Sequence, residues 1–363
     1  MAKTAGVSVG TVSRVLNAHS KVKPELREKV QKAISDLGYS PNAVAQSMRS
    51  RATHTIGCVI REINISALAA FVRAAHDVLD EAGYSLVLSN SEGRRERERE
   101  LLERLSRRQM DGIMIGPYTP ITSEFDAFLR GLDVPIVLVD RDEPAWADAV
   151  MTDHAQGIRA ATEHLINLGH HAIALITGDP DLYPARERLR GYREAYRAAG
   201  LAPDPAFVHA GSFLASAGFR LTSSMLAARN RPTAIIAGGI GMLPGVLQAI
   251  RVRGLRIPAD VSVIASGNSE LADLYTPQIA LQRWEGGRSG NLFLLWGGVE
   301  PPTRGGGRAA GGRPAWPGGG GGGGAGPRPV LLPNEFVPRE SIGPAPRAAA
   351  EAARSDPPRS PSV

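Results

Sequence analysis

The chain has 363 residues, 43% of them hydrophobic, and a formal net charge of +6. At about 150 residues per domain, this length corresponds to two or three compact units. The single cysteine, Cys58, excludes an intrachain disulfide, and no Cys/His cluster has zinc spacing, so we expect no metal and no cofactor. No apolar run approaches a membrane span and no signal-peptide pattern opens the chain, so we expect a cytoplasmic protein.

The positive charge is concentrated at the N-terminus. Residues 1–54 hold nine basic and three acidic residues, whereas the remaining 309 residues hold 33 of each. All five lysines lie within the first 32 residues. A small basic head on a neutral body is typical of a polyanion-binding module joined to a second domain.

A short amphipathic helix is predicted in this head. Val12, Val15 and Leu16 form an apolar stripe at i, i+3 and i+4, and the hydroxyl of Ser8 can cap the helix start. Small polar residues and one arginine on the other face suit the DNA major groove. These outward residues are Thr11, Ser13, Arg14 and Asn17. From these residues alone, a basic helical hairpin that packs on another surface is the alternative interpretation.

From residue 55 to about residue 282, apolar strands alternate with amphipathic helices. The predicted strands are 56–60, 84–89, 112–115, 135–140, 173–178, 207–210, 234–237 and 261–265. This alternation predicts an α/β body of two lobes, each a doubly wound parallel sheet, with a seam near residue 150. Ligands bind outside the carboxyl ends of such strands, so we expect a cleft between the lobes.

The segment 285–326 has a different composition. It holds 18 of the 41 glycines and shows no helical or strand period. Such a chain cannot bury enough apolar surface to offset its conformational entropy, so we predict disorder there. A short edge strand is predicted at 329–336, and a disordered tail at 344–363.

Three strings carry a family resemblance: AGVSVGTVSRVLN at 5–17, REKVQKAISDLGYSPNAVAQSMR at 27–49, and TIGCVI at 55–60. They resemble the lactose-repressor family of bacterial regulators, nearly without gaps over residues 2–60 and more loosely to about residue 284. The resemblance implies a sequence-specific transcriptional regulator of the repressor type. Its implied partners are pseudo-palindromic double-stranded operator DNA, a second copy of the chain in a homodimer, and a small-molecule effector that is a sugar or a related metabolite.

The same resemblance implies a domain plan. A helix-turn-helix head occupies 1–40 and a hinge 41–54. A periplasmic-binding-protein-like body follows, with its N-terminal lobe at 55–150 and its C-terminal lobe at 151–343. Family members have about eight further residues before Met1, so the first helix is expected to be incomplete, through a misplaced start or a true truncation.

Position by position, the resemblance assigns the DNA-binding residues. The recognition helix contributes Ser8, Val9, Gly10, Thr11, Ser13, Arg14 and Asn17, and the hinge contributes Asn42, Ala45, Gln46 and Met48. Val9 and Gly10 stand where the family selects bases, but neither offers a side-chain hydrogen bond. Met48 replaces a leucine that wedges into a minor-groove step; an ordinary linker residue is the alternative.

The resemblance also assigns five effector-binding residues: Arg188, Asp140, Asp153, Asn268 and Trp284. Arg188 stands where the family clamps hydroxyl or carboxylate groups, a task that suits a planar guanidinium. A surface role for Arg188, capping roles for the aspartates and core packing for Trp284 are the alternatives. Glycine stands at two positions, 239 and 267, that often carry polar ligand contacts in the family. The adjacent pair His170 and His171 is interpreted as structural.

Other interpretations stay open. A sugar-binding protein or an enzyme could use the same body, although no nucleophile elbow, Walker loop or zinc spacing is present. A non-functional relic is a third hypothesis, because the composition of 285–326 separates two stretches that resemble the family. Compensating frame shifts in GC-rich DNA or a genuine insertion would each produce that segment.

Overall fold

The computed structural model describes residues 1–16, 22–39, 52–142, 146–284 and 329–346. The predictions made for Asn17, for the hinge residues 42–48, for the segment 285–326 and for most of the tail lie outside the described residues. The chain forms two compact units, Met1–Thr53 and His54–Val363. Within the described residues, no helix is both long and apolar enough to cross a bilayer.

The described residues of the first unit form three helices: α1 (Ala2–Ala5), α2 (Val9–Leu16) and α3 (Pro24–Asp36). Gly6 ends α1 with a φ of 62°, a left-handed conformation that favours glycine. Pro24 occupies the first turn of α3, where its missing N–H costs nothing. One apolar core joins the three helices through Ala5, Val12, Val15, Val30 and Ala33. The predicted apolar stripe of α2 therefore faces the inside of the head.

In the part of the second unit that the structure describes, the strands form two six-stranded sheets. The first sheet has the strand order β11-β5-β4-β3-β1-β2, and all its pairings are parallel. Its strands are β1 (Thr55–Ile60), β2 (Ser85–Asn90), β3 (Gly112–Ile115), β4 (Ile136–Val139), β5 (Asp148–Thr152) and β11 (Pro329–Leu332). Helices α4 (Ser66–Glu81), α5 (Arg95–Arg107) and α6 (Ser123–Gly131) connect its early strands.

The second sheet has the order β12-β10-β9-β8-β6-β7 and is parallel except for the β10–β12 pair at its edge. Its strands are β6 (Ile173–Gly178), β7 (Val208–Gly211), β8 (Ala234–Ala237), β9 (Ser262–Ser266), β10 (Ala280–Trp284) and β12 (Asn334–Val337). Its helices are α7 (His154–Asn167), α8 (Tyr183–Ala198), α9 (Ala215–Ala227), α10 (Leu243–Val252) and α11 (Glu270–Leu274). Every residue of β6 is buried, as expected for a strand covered on both faces.

One prediction about the lobes is wrong in detail. The segment 329–336 is not one edge strand of the C-terminal lobe, because β11 pairs with β5 in the first sheet and β12 pairs with β10 in the second. The sequence predicted no strand at 148–152, where β5 lies, and this strand ends at Thr152 in the first sheet, close to the predicted seam near residue 150. The pairing partners of such short strands lie far away in the sequence, so the local pattern does not show which sheet they join.

Candidate DNA-binding face and effector cleft

The start of α2 is capped from Ser8. The Ser8 Oγ accepts a hydrogen bond from the Thr11 backbone N–H at 3.1 Å and lies 2.9 Å from the Thr11 Oγ1. The cap satisfies one of the N–H groups that a helix start leaves without an intrahelical partner. The cap predicted for this hydroxyl is therefore present in the fold.

The face of α2 opposite its buried valines is open to solvent. Val9 is 76% exposed, and Ser8, Gly10, Ser13 and Arg14 are also exposed. Arg14 donates from Nε to the Gly10 carbonyl oxygen at 3.1 Å, which lays its side chain back along the helix. This bond uses one of the five N–H donors of the guanidinium. The head thus presents a helix face of small residues and one arginine.

A cleft lies between the carboxyl ends of the two sheets, as the sequence predicted. It has a volume of about 160 Å³. Arg61 follows β1, Gly116 follows β3 and Asp140 follows β4, while Gly239 and Gly267 follow β8 and β9. The apolar lining includes Ile60, Phe71, Met114, Val139, Leu182 and Phe213. The ionisable lining consists of Arg61, Asp140, Arg141, His154 and Arg188, together with Cys58 and Tyr118.

One hydrogen-bonded relay crosses the floor of the cleft. The Arg188 Nη2 lies 3.2 Å from the His154 Nδ1, and the His154 Nε2 lies 2.9 Å from an Asp140 carboxylate oxygen. A neutral imidazole with its proton on Nε2 satisfies both contacts, since Nδ1 then accepts and Nε2 donates. Burial and the charge of Arg188 lower the pKa of His154, which favours this neutral form. α7 places the histidine and α8 places the arginine.

Asp140 is held in a constrained geometry. Its φ is 54°, in the left-handed region that non-glycine residues rarely occupy, and its N–H donates to the Val150 carbonyl oxygen at 2.7 Å. Its carboxylate also accepts from the Thr152 N–H at 3.2 Å. Burial acts to raise the pKa of Asp140, but His154 and the neighbouring arginines outweigh it, so the net pKa falls below its ordinary value. An ionised carboxylate is thus fixed at this point of the cleft.

Arg188 keeps unused hydrogen-bonding capacity in the cleft. The residue is only 8% exposed, and its buried Nε has no hydrogen-bond partner in the part of the chain that the structure describes. Its guanidinium carbon lies 5.7 Å from the centre of the Phe213 ring. Burial lowers the pKa of Arg188 to about 10, so the group is still charged at neutral pH. A buried donor without a partner is costly unless a ligand satisfies it.

Known proteins match both units. A family model described as "Bacterial regulatory proteins, lacI family" matches residues 1–42, and a "Periplasmic binding protein-like domain" matches residues 162–342. The ribose operon repressor of Escherichia coli K12 is 36% identical over 285 residues, which cover 77% of this chain and 85% of that repressor. The chain belongs to the lacI family of bacterial regulatory proteins. Family members are DNA-binding transcriptional regulators with small-molecule effectors, and this chain is one of them.

Other members of the lacI family are also similar to this chain. The transcriptional repressor PurR of Vibrio campbellii is 32% identical over 281 residues, which cover 77% of this chain and 84% of that repressor. A crystal structure of the lac repressor dimer bound to operator and the anti-inducer ONPF has a TM-score of 0.72 and 27% identity. That match covers 94% of this chain and 97% of the lac repressor chain. The predicted family and fold class are confirmed.

Of the five residues assigned to effector binding, the structure brings Arg188 and Asp140 together in the cleft. Asp153 does not line it; its carboxylate accepts from the Gln156 N–H at 2.9 Å and caps α7, the capping role left open above. Asn268 lies beside the cleft residue Gly267 without lining the cleft itself. For Trp284, the structure describes the backbone in β10 but not the side chain.

Several cleft residues were missed by the sequence analysis, namely Arg61, Tyr118, Arg141, His154, Gln282 and Asn334. A signal for three of them was present, because Arg61, Tyr118 and Arg141 each follow the carboxyl end of a predicted strand within three residues. The others depend on β10, β12 and the start of α7, whose bounds the periodicity did not give.

His170 has the structural role that the sequence predicted. Its Nδ1 lies 2.8 Å from the Thr233 Oγ1, and its Nε2 lies 2.8 Å from the Gly343 carbonyl oxygen. Since that carbonyl can only accept, Nε2 carries the proton. Among the described residues, no group of three His, Cys, Asp or Glu side chains could hold a metal ion.

Proposed function

We propose that this chain is a repressor and not an enzyme. It binds pseudo-palindromic operator DNA as a homodimer, and a small-molecule effector in the cleft, a sugar or a related metabolite, changes its operator affinity. The observation that carries the proposal is the exposed face of α2, on which Ser8, Gly10, Ser13 and Arg14 surround Val9. The relatives named above are repressors, and the lac repressor structure is a dimer on its operator.

The side chains on the exposed face of α2 limit which contacts this helix can make with DNA bases. Val9 and Gly10 offer apolar contact and close approach, and Arg14 offers the fork that pairs with a guanine edge. We propose that Arg14 is the principal hydrogen-bonding reader of α2. The hinge residues Asn42, Ala45, Gln46 and Met48 and the helix residue Asn17 are proposed to add contacts from outside the described residues.

The DNA-binding experiment uses the full chain and an operator selected from random duplexes. Arg14→Ala should weaken specific binding by about 1–3 kcal/mol, while weakening binding to unrelated duplex much less. Lys29→Ala on the exposed side of α3 removes the same charge and is the matched control. Equal losses on specific and unrelated DNA for Arg14→Ala would contradict base reading.

The stoichiometry is measured on the same operator. Two half-sites related by a two-fold axis require two chains per duplex, and sedimentation of the complex measures this ratio. One chain bound per operator, with an undiminished affinity for a single half-site, would contradict the dimer.

Effector control is tested at Arg188. Metabolites are screened for a change in operator affinity, and Arg188→Lys should weaken the response, since lysine keeps the charge but loses the planar fork and the Nη2 bond to His154. Arg190→Gln, on the exposed side of α8, is the control. A response that is equally strong in Arg188→Lys would contradict effector binding at this site.

A further inference from the structure

We propose that the effector is an organic anion, whose carboxylate or phosphate group is bound by Arg61, Arg141 and Arg188, and not a neutral sugar. This inference rests on the proposed effector control and adds the charge of the ligand to it. It starts from a contrast between the arginines of the cleft and those of the surface.

Many exposed arginines of the body are ion-paired. Examples are Arg99 with Glu103, Arg130 with Asp126, Arg159 with Glu163, Arg190 with Glu187 and Arg256 with Asp260. By contrast, none of the three cleft arginines forms an ion pair with a carboxylate anywhere in the described ranges. Pairs on the surface contribute little, because water already solvates both charges. Arg188 is buried and Arg61 and Arg141 are half-buried, so water solvates these three guanidiniums less than it solvates the exposed, ion-paired ones.

Each of the three guanidiniums is held in place by neutral groups. Arg141 donates from Nη1 to the Asp140 carbonyl oxygen at 2.6 Å and from Nε to the Pro117 carbonyl oxygen. Arg61 has its guanidinium carbon 5.4 Å from the centre of the Tyr118 ring and 5.9 Å from that of Phe213. Arg188 also approaches Phe213 and is bonded to His154. Phe213 thus lies between two of the cationic groups.

The carboxylates near the cleft do not neutralise this charge. Asp140 is the sole carboxylate among the described lining residues, and its oxygens accept from His154 and Thr152. Glu98 lies behind Arg141, but burial raises its pKa to about 7, so about half of it is uncharged at neutral pH. Glu62 adjoins Arg61 along the chain and acts to raise its pKa, but burial outweighs this and the net pKa of Arg61 falls; among the described residues the two side chains form no ion pair. The lining thus carries three positive charges against one negative charge.

Buried unpaired charge is unfavourable, and an incoming oxyanion removes that cost while gaining charge-assisted hydrogen bonds. Arg188 supplies the buried Nε that lacks a partner in the described structure, and Arg61 supplies a guanidinium that forms no ion pair with a carboxylate among the described residues. Both are suited to bidentate contact with carboxylate or phosphate oxygens. The part of the cleft that contains Arg61 and Arg188 therefore fits the oxyanion group of a ligand.

A neutral sugar would meet few acceptors for its hydroxyl groups, chiefly the Asp140 carboxylate and the Asn334 Oδ1, which has no hydrogen-bond partner in the described structure. The Ser266 hydroxyl donates to the Gln282 Oε1, and the Gln282 Nε2 donates to the His154 carbonyl oxygen at 3.2 Å. Gly239 and Gly267 bring no side chain to the ends of β8 and β9. Hydroxyl protons need acceptors, and a site that leaves them unpaired discriminates against the ligand. The polar chemistry of this cleft is mainly that of cationic donors.

The test measures ligand binding to the full chain by thermal unfolding and calorimetry. The probes are inorganic phosphate, glucose 6-phosphate, gluconate and glucose, with sodium chloride at matched ionic strength as the salt control. At least one of the three anions, phosphate, glucose 6-phosphate or gluconate, should raise the melting temperature above the salt control, and glucose should not. Glucose 6-phosphate and gluconate distinguish a phosphate group from a carboxylate.

Variants locate the binding. Arg61→Gln should weaken the anion's affinity by about tenfold or more, since it removes one charge-assisted contact. Arg104→Gln, on the exposed side of α5, removes the same charge from the same lobe and should leave the affinity unchanged. Glucose binding as tightly as the anions, none of the three anions acting more strongly than chloride, or full anion affinity in Arg61→Gln would each overturn the inference.

Operator affinity, measured with the same probes, separates the two proposals. If glucose changes operator affinity and the anions do not, effector control stands and the anionic effector is wrong. If an anion binds through Arg61 without any change in operator affinity, the oxyanion site stands and effector control by that ligand is wrong.

Discussion

Gly191→Ala tests how closely the two helices that carry the cleft relay approach each other. A Cβ at Gly191 of α8 would lie 2.9 Å from both the carbonyl carbon and the Cα of Ala155 in α7, and closer still to its carbonyl oxygen. Real Cβ atoms essentially never come within 3.0 Å of another group. The obstacle is backbone, so a change of side-chain rotamer cannot relieve it and α7 and α8 must move apart.

The magnitude follows from two opposing effects. Overpacking costs about 1–3 kcal/mol, and contact with backbone places this site in the upper part of that range. Alanine recovers about 1 kcal/mol through its higher helix propensity. We therefore expect the free energy of unfolding of the body to fall by about 1–2 kcal/mol. Because α7 begins at His154 and α8 contains Arg188, the 3.2 Å bond between them should lengthen and the effector response should weaken.

The assay is chemical denaturation followed by circular dichroism, with Gly131→Ala as the matched control. Gly131 ends α6 with no atom near its missing Cβ, so alanine there should raise stability by up to about 1 kcal/mol. Equal stabilities for the two variants, or an unchanged effector response in Gly191→Ala, would show that the α7–α8 contact is not tight.

Three further predictions concern single side chains. Ser8→Asp keeps a capping oxygen, so the head should stay as stable as wild type, whereas Ser8→Ala should lose about 1 kcal/mol of stability. The aspartate should still weaken DNA binding, because it repels the phosphates, and an anisotropy titration measures this loss. Burial raises the pKa of Glu98 from 4.5 to about 7, so the unfolded chain loses the Glu98 proton at a lower pH than the folded chain, and the free energy of unfolding falls as pH rises from about 4.5 to 7. The stability gained by Glu98→Gln relative to wild type should therefore be about 2 kcal/mol larger at pH 8 than at pH 5, which urea titrations measure. Burial raises the pKa of the Cys58 thiol to about 12, so a thiol reagent should label the native protein about 100-fold more slowly than the urea-unfolded chain, and equal rates would contradict its burial.

The periodicity of the sequence predicts most regular elements because local patterns decide them. The predicted strands 112–115, 173–178 and 234–237 agree with the observed bounds at both ends, since each is a short apolar run between polar turns. The stripe of Val12 and Val15 likewise predicts which face of α2 is buried. The recognition face follows directly, because it is the complement of that stripe.

Long-range pairing could not be predicted in the same way. β5 and β11 lie far apart in the sequence, and only their backbone pairing shows that Pro329–Leu332 joins the first sheet. The contacts in the cleft also join residues that lie far apart in the sequence. Family resemblance points to Arg188, but the bond of Arg188 to His154 depends on how α7 and α8 pack together. Asp153 and Asp140 are both aspartates after strands, and only the tertiary structure shows that one caps a helix while the other faces the ligand site.

Pro333 is the single residue between β11 of the first sheet and β12 of the second. A connector of one residue spans only about 3.5 Å, and its pyrrolidine ring restricts rotation about φ. The Asp153 N–H donates to the Leu332 carbonyl oxygen at 2.8 Å, which ties a second crossing of the chain to the same place. The short connector and this hydrogen bond limit how far the two sheets can separate at this point. An effector that closes the cleft by a hinge motion would therefore displace Asn334, next to Pro333, less than lining residues farther along the chain from the connector, such as Phe213.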